Sequence, residues 1–479
     1  MGLAQPFFFY EGMMKNIALK CFIALSFLGV FACLFTTNTL SVDGFEHLKM
    51  SYLVANGYVP YRDFFEHHHP LLWYIYAPLI YILPHNITQA YYVSRIFSLI
   101  GSVIMLFIIG KTINRFLGGK QNTLCFLVIL FMFFPTWHCF STLKPDIIAR
   151  IFYFAGIYYF FRYTEKFQTS EMVYCGLSFT FAFLALQNIV FSILPLIIPV
   201  LFLYEKHTKI VKDVAVSSVI PAIIIFTVIL ILIISNTWES YFQLNWIFNA
   251  YLFDYMHYTN NSVLYYWMPP ILLGIGAWIW QVKQHKSSFY MNTVGLLLIA
   301  EIVQHIYYKA VFHHYLIIMF IFVSVLLAPV VSAVKNKFLI FSGYIIVVVT
   351  FCFNLNYIYS KDTKIMPIIN SLDFAESDQV FNFDFRYINI YASKISYYSL
   401  FHAATLIDNT IFNRYPDYNT DEFIETNKIK YIDYIYTPQN NNIIFEGANN
   451  LKRFYISEST LSKYDEIYPG LWRRKAEYE

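Results

Sequence analysis

Charge is scarce in this chain. Only 13% of its 479 residues are Asp, Glu, Lys or Arg, about half the share found in a soluble domain. That excludes a soluble globular protein, and the 58% hydrophobic content excludes a disordered one. Cysteine is scarce as well. The six are Cys21, Cys33, Cys125, Cys139, Cys175 and Cys352, all in or beside apolar runs and none at a metal-type spacing. A disulfide framework and thiol chemistry are therefore not expected. No glycine-rich phosphate loop stands on any segment expected to face the cytoplasm, which argues against a nucleotide substrate. No low-complexity segment or short repeat is present, and the first apolar run, residues 17–37, lacks a small-residue cleavage site. It reads as a retained membrane helix rather than a signal peptide.

What fills the chain is long apolar sequence, of a length that suits helices rather than barrel strands. Hydropathy predicts about eleven spans by the ~20-residue criterion. They centre near residues 27, 101, 129, 154, 179, 197, 224, 271, 299, 324 and 347. Basic residues gather in alternate loops: Lys15 and Lys20; Lys111, Arg115 and Lys120; Arg162 and Lys166; Lys206, Lys209 and Lys212; Lys283 and Lys286; Lys335 and Lys337. Those loops belong in the cytoplasm. The N-terminus is then cytoplasmic and, with an odd number of spans, the C-terminus is outside. Residues 1–358 form a polytopic all-α membrane domain with long outer loops at 39–88 and 236–264. The aromatics of the second loop suit a helix lying at headgroup level. From 359 to 479 the sequence turns polar and carries short alternating runs, "DQVFNFDF" and "KYIDYIYT", beside a helix-like "NTDEFIETNK". This predicts a small α/β domain on the outer face.

The ionisable residues that remain concentrate on the expected outer rim. In "SVDGFEHLKMSYLVANGY", Ser41 or Asp43 is placed to cap a helix from 44 to 55, with Asn56-Gly57 ending it. Asp43, Glu46 and His47 share one face of that helix. They act as a cap and a solvated face, or as functional groups beside a membrane, where ionisable residues are expensive. In "YRDFFEHHHPLLWY", Asp63 and Glu66 precede His67, His68 and His69, and Pro70 opens a short apolar helix with re-entrant or interfacial character. Three adjacent histidines cannot all face one ion. At most one or two can join Asp43 or His47, so an aromatic interfacial belt is preferred over a metal site. Further on, "CFSTLKPDIIARIF" sets Lys144 and Asp146 around the Pro145 helix start, with Arg150 one turn inside. "EIVQHIYYKAVFHHYLIIMF" places Lys309, His313 and His314 in a tight outer turn. Such a cationic rim suits a bound phosphate, although Lys309 alone is equally well read as snorkelling.

Taken as a series, these features resemble the class C glycosyltransferases. The series is an acidic residue after the first span, a helix ending in Asn-Gly, the "DFFEHHHP" segment, the "LKPD" turn and the late "HHYL" turn. The closest likeness is to the bacterial branch related to protein O-mannosyltransferases and lipid A aminoarabinose transferases, over residues 15–335. The resemblance implies a polyprenyl-phosphate sugar donor and transfer on the non-cytoplasmic face of the bacterial inner membrane. It implies Asp43 as base, although the family's usual Asp-Glu pair is here "DG". Glu46 either takes over part of the missing glutamate's role or does not. Glu66 is carried over as a site residue. Some relatives follow that glutamate with a phosphate-binding lysine, where this chain has His67.

The resulting expectation is an inverting membrane glycosyltransferase that acts on a hydroxyl of a cell-envelope glycan such as O-antigen or lipopolysaccharide, on lipid A, or on protein. Asp43, Glu66 and Glu46 would be catalytic. Lys144, Lys309, His67, His313 and His314 would surround the donor phosphate. His47, Asp63, Asp146 and Arg150 would bind substrate. No cofactor is expected and metal-independence is favoured, with a divalent ion left open; nor is a nucleic-acid partner expected. The competing classes are a flippase or transporter for lipid-linked glycans, and an O-antigen polymerase or ligase. The first would show mid-membrane charges and paired broken helices. The second would rely on outer-face Arg or His rather than an Asp directly after the first span.

Overall fold

A computed structural model of the protein describes residues 42–83, 86–133, 139–251, 262–308, 315–334, 380–382, 419–433, 456–468 and 470–478, with isolated positions at 20, 24, 136, 349, 352, 412, 414 and 417. The expected spans centred near 27 and 347 lie outside the described residues. The chain in between is overwhelmingly helical, because a helix satisfies every backbone polar group within one segment.

The helices are α1 (Val42–Ala55), α2 (Leu71–Ile82), α3 (Ile87–Phe116), α4 (Gly119–Met132), α5 (Pro145–Lys166), α6 (Thr169–Ala185), α7 (His207–Ile234), α8 (Ser262–Lys283), α9 (Phe289–Tyr308) and α10 (Ile317–Ala333). Among the described residues, three stretches are long and apolar enough to cross a membrane: Gln89–Phe116, His207–Ile234 and Phe289–Tyr307. Shorter apolar helices lie at Leu71–Ile82, Gly119–Met132, Gln187–Leu201 and Ile317–Ala333. Gln187–Leu201 is interrupted by 3-10 turns, one of them at Pro195.

Local sequence sets the helix ends. Asn86 caps α3 by accepting from the Gln89 N–H at 3.0 Å. Pro145 opens α5, with Asp146 in its first turn and Lys166 in its last, both complementary to the helix dipole. At the end of α1, Tyr58 N–H reaches Leu53 O and Gly57 N–H reaches Val54 O, with Gly57 at φ +83°. That is a Schellman ending, as Asn-Gly predicted. The helix begins at Val42, so Asp43 lies inside its first turn rather than capping it.

Packing sorts the helices into a core and a lipid-facing rim. The side chains of α10 from Ile317 to Leu326 are all buried, so this helix runs through the centre of the bundle. α5 and α6 approach closely where Gly156 meets Phe179: a Cβ at 156 would stand 2.3 Å from that ring. α7 behaves in the opposite way. Val211, Ile223, Phe226, Ile231 and Ile234 are exposed along it, an apolar surface that suits acyl chains rather than water.

A second apolar cluster joins α1, α2 and the start of α5 through Phe45, Leu48, Phe64, Trp73, Tyr76, Leu143 and Ile147. It continues into the C-terminal region at Phe381, Ile424, Ile432 and Tyr464. There a four-stranded sheet is built from β1 (Val380–Asn382), β2 (Tyr431–Asp433), β3 (Tyr464–Tyr468) and β4 (Leu471–Arg474), in the order β1-β2-β4-β3. β1 and β2 run parallel, and α11 (Thr420–Thr426) lies between them in sequence. The two strands and the helix coincide with the runs that the sequence singles out.

Candidate active site where α1 meets the 61–74 stretch

The stretch that holds most of the candidate residues begins as a tight turn. Asp63 N–H donates to Val59 O at 2.9 Å, and Val59 N–H donates to Asp63 Oδ2 at 2.7 Å. Tyr61 adopts φ +68° within that turn, and Arg62 pairs with Asp63 at 3.0 Å. Asp63, expected to bind substrate, engages its carboxylate in shaping the turn.

Glu66 follows, with its side chain fully buried. Its Oε1 accepts from the backbone N–H groups of His67 and His68, at 2.8 and 3.2 Å, and lies 2.7 Å from His68 Nδ1. Two distant amides hold the backbone here. Gln187 Nε2 and Asn249 Nδ2 both donate to His67 O, at 3.0 and 2.8 Å. Tyr61 O–H donates to His68 O at 2.6 Å.

The three histidines separate. His69 turns away, with Nδ1 2.7 Å from Phe183 O and Nε2 2.9 Å from the Tyr241 hydroxyl. Burial pushes its pKa down to about 4, with the nearby His68 adding to the effect. The neutral ring must carry its proton on Nδ1, since a carbonyl only accepts, so Tyr241 donates to Nε2. His67 and His68 stay together, with ring centroids 4.1 Å apart.

α1 supplies the opposing wall. Glu46 and His47 are buried. Trp73 Nε1–H donates to His47 Nδ1 at 3.2 Å, and the His47 ring meets His68 edge-on at 5.2 Å. Asp43 sits one turn earlier in the same helix, but its side chain lies outside the described residues. Lys49, one turn later, is buried, and that burial pushes its pKa down to about 7. One possible ligand atom from each of Glu46, Glu66, His67 and His68 lies within 4.8 Å of the others. Two histidines therefore join two carboxylates, where the sequence suggested Asp43 or His47 as the partners.

The remaining candidates divide. Lys144 is buried at the start of α5, directly before Pro145. Asp146 and Arg150 form a buried ion pair at 2.7 Å, one turn apart. Leu143 and Ile147 pack in the same apolar cluster as Phe45 and Trp73, so this helix start adjoins α1 and α2. Lys309, His313 and His314 lie outside the described residues. Sequence reasoning missed Gln187, Asn249 and Tyr241, which brace the turn, and took His68 for interfacial lining. The available signal was a Gln and an Asn set inside strongly apolar runs, where an amide is retained only if it has a partner.

Comparison with known proteins bears on the family and the fold. Residues 67–234 match the family model described as dolichyl-phosphate-mannose-protein mannosyltransferase. No match was found among curated proteins. Among solved structures, ArnT from Cupriavidus metallidurans in the apo state is similar with a TM-score of 0.53 at 12% identity, covering 82% of this chain and 88% of that one. The same protein bound to undecaprenyl phosphate gives 0.54 at 10% identity, with 82% and 87% covered. At that identity the likeness is one of fold, that of a multi-pass membrane protein. Through its sequence over residues 67–234 and its fold over most of its length, the chain resembles the class C glycosyltransferases of the mannosyltransferase and ArnT branch.

Proposed function

We propose that the chain is an inverting membrane glycosyltransferase. It moves a sugar from a polyprenyl phosphate to a hydroxyl of a cell-envelope glycan, such as lipopolysaccharide or O-antigen, on the periplasmic side of a bacterial inner membrane. The observation that carries this reading is the convergence of α1 and the Glu66 turn into one buried acidic and imidazole-lined site beside the start of α5. The match of residues 67–234 and the undecaprenyl phosphate in the ArnT structure support a polyprenyl-phosphate partner.

The reaction needs little beyond positioning, a base and positive charge. The acceptor oxygen attacks the anomeric carbon, the bond from that carbon to the phosphate oxygen breaks, and its electron pair leaves with the phosphate. The acceptor proton passes to the Asp43 carboxylate. One displacement inverts the anomeric centre. Phosphate is a good leaving group, so no general acid is required. Glu66 and Glu46 orient the acceptor and the base, and His47, Asp146 and Arg150 line the substrate path. Lys144, together with Lys309, His67, His313 and His314, offsets the charge on the departing phosphate. The region from 359 to 479 acts as an outer domain that helps hold the acceptor. Arg414 Nη2 donates to Gln243 Oε1 at 3.3 Å, beside the segment whose Asn249 braces His67.

Radiolabel transfer from a polyprenyl monosaccharide phosphate by the purified protein tests the reading. Asp43→Asn is expected to lower the rate ~10²–10⁴-fold, the usual worth of a general base. Full activity in that variant would remove Asp43 from the role. Turnover of an oligosaccharide-diphosphate lipid instead of the monosaccharide phosphate would move the protein to the polymerase or ligase class.

A further inference from the structure

Glu301 and His305 are buried in α9, a helix long and apolar enough to cross a membrane, and the proposed chemistry uses neither. Ionisable side chains at membrane depth are costly, and they are kept where they have both a partner and a task. The partner here comes from α5. Arg150 and His305 both stand within electrostatic reach of the Glu301 carboxylate. Arg150 also pairs with Asp146 at 2.7 Å, so carboxylates of two helices act on one buried guanidinium. His305 lies one turn after Glu301, with Nδ1 2.7 Å from Glu301 O and 4.0 Å from its Oε2.

The broken helix 187–201 links the two sides. Tyr153 O–H of α5 donates to Ser192 O at 3.1 Å, and the Ser192 side chain hydrogen-bonds to Glu301 of α9. Gln187, at the start of the same segment, braces the His67 carbonyl. The place of this cluster along the chain is informative. Arg150 comes six residues after Lys144, which is roughly 9 Å along a helix. Glu301 comes seven residues before the end of α9 at Tyr308, roughly 10 Å, and Lys309, His313 and His314 follow directly in sequence. The cluster therefore joins the two helices whose ends carry the proposed phosphate-binding cations. Apolar contacts alone let packed helices settle over a range of registers, whereas a hydrogen-bonded charge cluster holds one.

We infer that Glu301 is a positioning residue for the donor lipid. Through Arg150 it fixes α9 against α5, so that the cations at the ends of the two helices meet one phosphate at a set spacing. Ser192 and His305 hold its carboxylate in place. Glu301 touches neither the sugar nor the phosphate, and its effect falls on donor binding rather than on the chemical step. The inference rests on the proposed use of a polyprenyl phosphate.

The test titrates undecaprenyl phosphate onto the full-length protein in detergent, read by native mass spectrometry, beside steady-state transfer. Glu301→Gln should weaken binding about tenfold, within the range for side chains coupled in one network. The donor KM should rise in step, with kcat and the acceptor KM nearly unchanged. A purely structural role would lower the amount of folded protein without this split. Lys144→Met should also weaken binding, and adding Glu301→Gln to it should cost much less than tenfold more, because one of the groups being positioned is already gone. Asp213→Asn, in the polar cluster that ties α5, α6 and α7 elsewhere, should keep wild-type affinity. Ser192→Ala leaves every charge in place and should give a smaller loss in the same direction; it decides the matter if Glu301→Gln does not fold. Wild-type affinity in Glu301→Gln, fully additive losses with Lys144→Met, or unchanged affinity in Ser192→Ala overturns the inference. Failure of the donor reading is seen in other arms: a wild type that does not bind undecaprenyl phosphate, or Lys144→Met at wild-type affinity, removes that reading and the role of Glu301 with it.

Discussion

Individual residues carry the clearest electrostatic consequences. Lys49 lies within α1, and burial holds its pKa at about 7, against an ordinary value of 10.5. Between those two values the unfolded chain binds a proton that the folded chain does not. Stability therefore rises with pH across that window, by up to about 1.4 kcal/mol per pH unit, and the full cost of the buried group is present below pH 7. Thermal unfolding in detergent from neutral to alkaline pH should show this rise. Lys49→Met should raise the midpoint at pH 7 and flatten the slope, and an unchanged slope would show that another group titrates. The sequence marked Asp43, Glu46, His47, Glu66 and His67 as candidates because ionisable side chains are rare in so apolar a chain. It gave Glu66 a catalytic and Asp63 a substrate-binding role, but did not foresee that the Asp63 carboxylate shapes a turn while Glu66 is buried three residues later. That difference is set by the path of the backbone.

At the scale of elements, the ends of helices were legible because they follow from local chemistry. Asn56-Gly57 predicted the end of α1, and Gly57 adopts the left-handed conformation that only glycine takes without strain. A Cβ at this position would meet nothing within 4 Å. Gly57→Ala should therefore cost about 1 kcal/mol from backbone strain alone, seen as a lower unfolding midpoint. The bracing of the Glu66 turn was not legible, because Gln187 and Asn249 stand more than a hundred residues away in sequence. Asn249→Leu removes one of two donors to the His67 carbonyl. The expected loss is about 0.5–1.5 kcal/mol of stability, together with a larger fractional drop in transfer rate, as the turn that holds Glu66 loosens. Equal activity per folded molecule would argue that Gln187 alone suffices.

For the whole molecule, the pattern of hydropathy gave a polytopic helical bundle, and the fold it shares with ArnT agrees. The number of spans was less legible. Long side-by-side apolar segments such as 169–201 are parted only by the brief Gln187-Asn188 pair, and the chain there divides into α6 and a helix broken by 3-10 turns. Of the C-terminal sheet, β1 and β2 were legible as alternating runs, while β3, β4 and the connection of the sheet to the candidate site were not. If this region positions the acceptor, Arg414→Ala should raise the acceptor KM several-fold with little change in kcat or in thermal stability. A steady-state series with varied acceptor decides it, and an unchanged KM removes Arg414 from that role. On the opposite side of the bundle, Tyr163, Thr169 and Lys209 all converge on Asp213, tying α5, α6 and α7 together far from the proposed chemistry.

The sequence by itself determined the solvent of this protein, the helical character of its spans, several helix ends and the short list of ionisable residues. Those properties depend on composition and on neighbours a few residues away. Only the tertiary structure decided which members of the list meet. His67 and His68 join Glu46 and Glu66, while His69 turns toward Phe183 and Tyr241. Three adjacent histidines acquire two different roles because the direction of each side chain is set by contacts with α1, α6 and the segment around 241–249. No local pattern encodes those contacts.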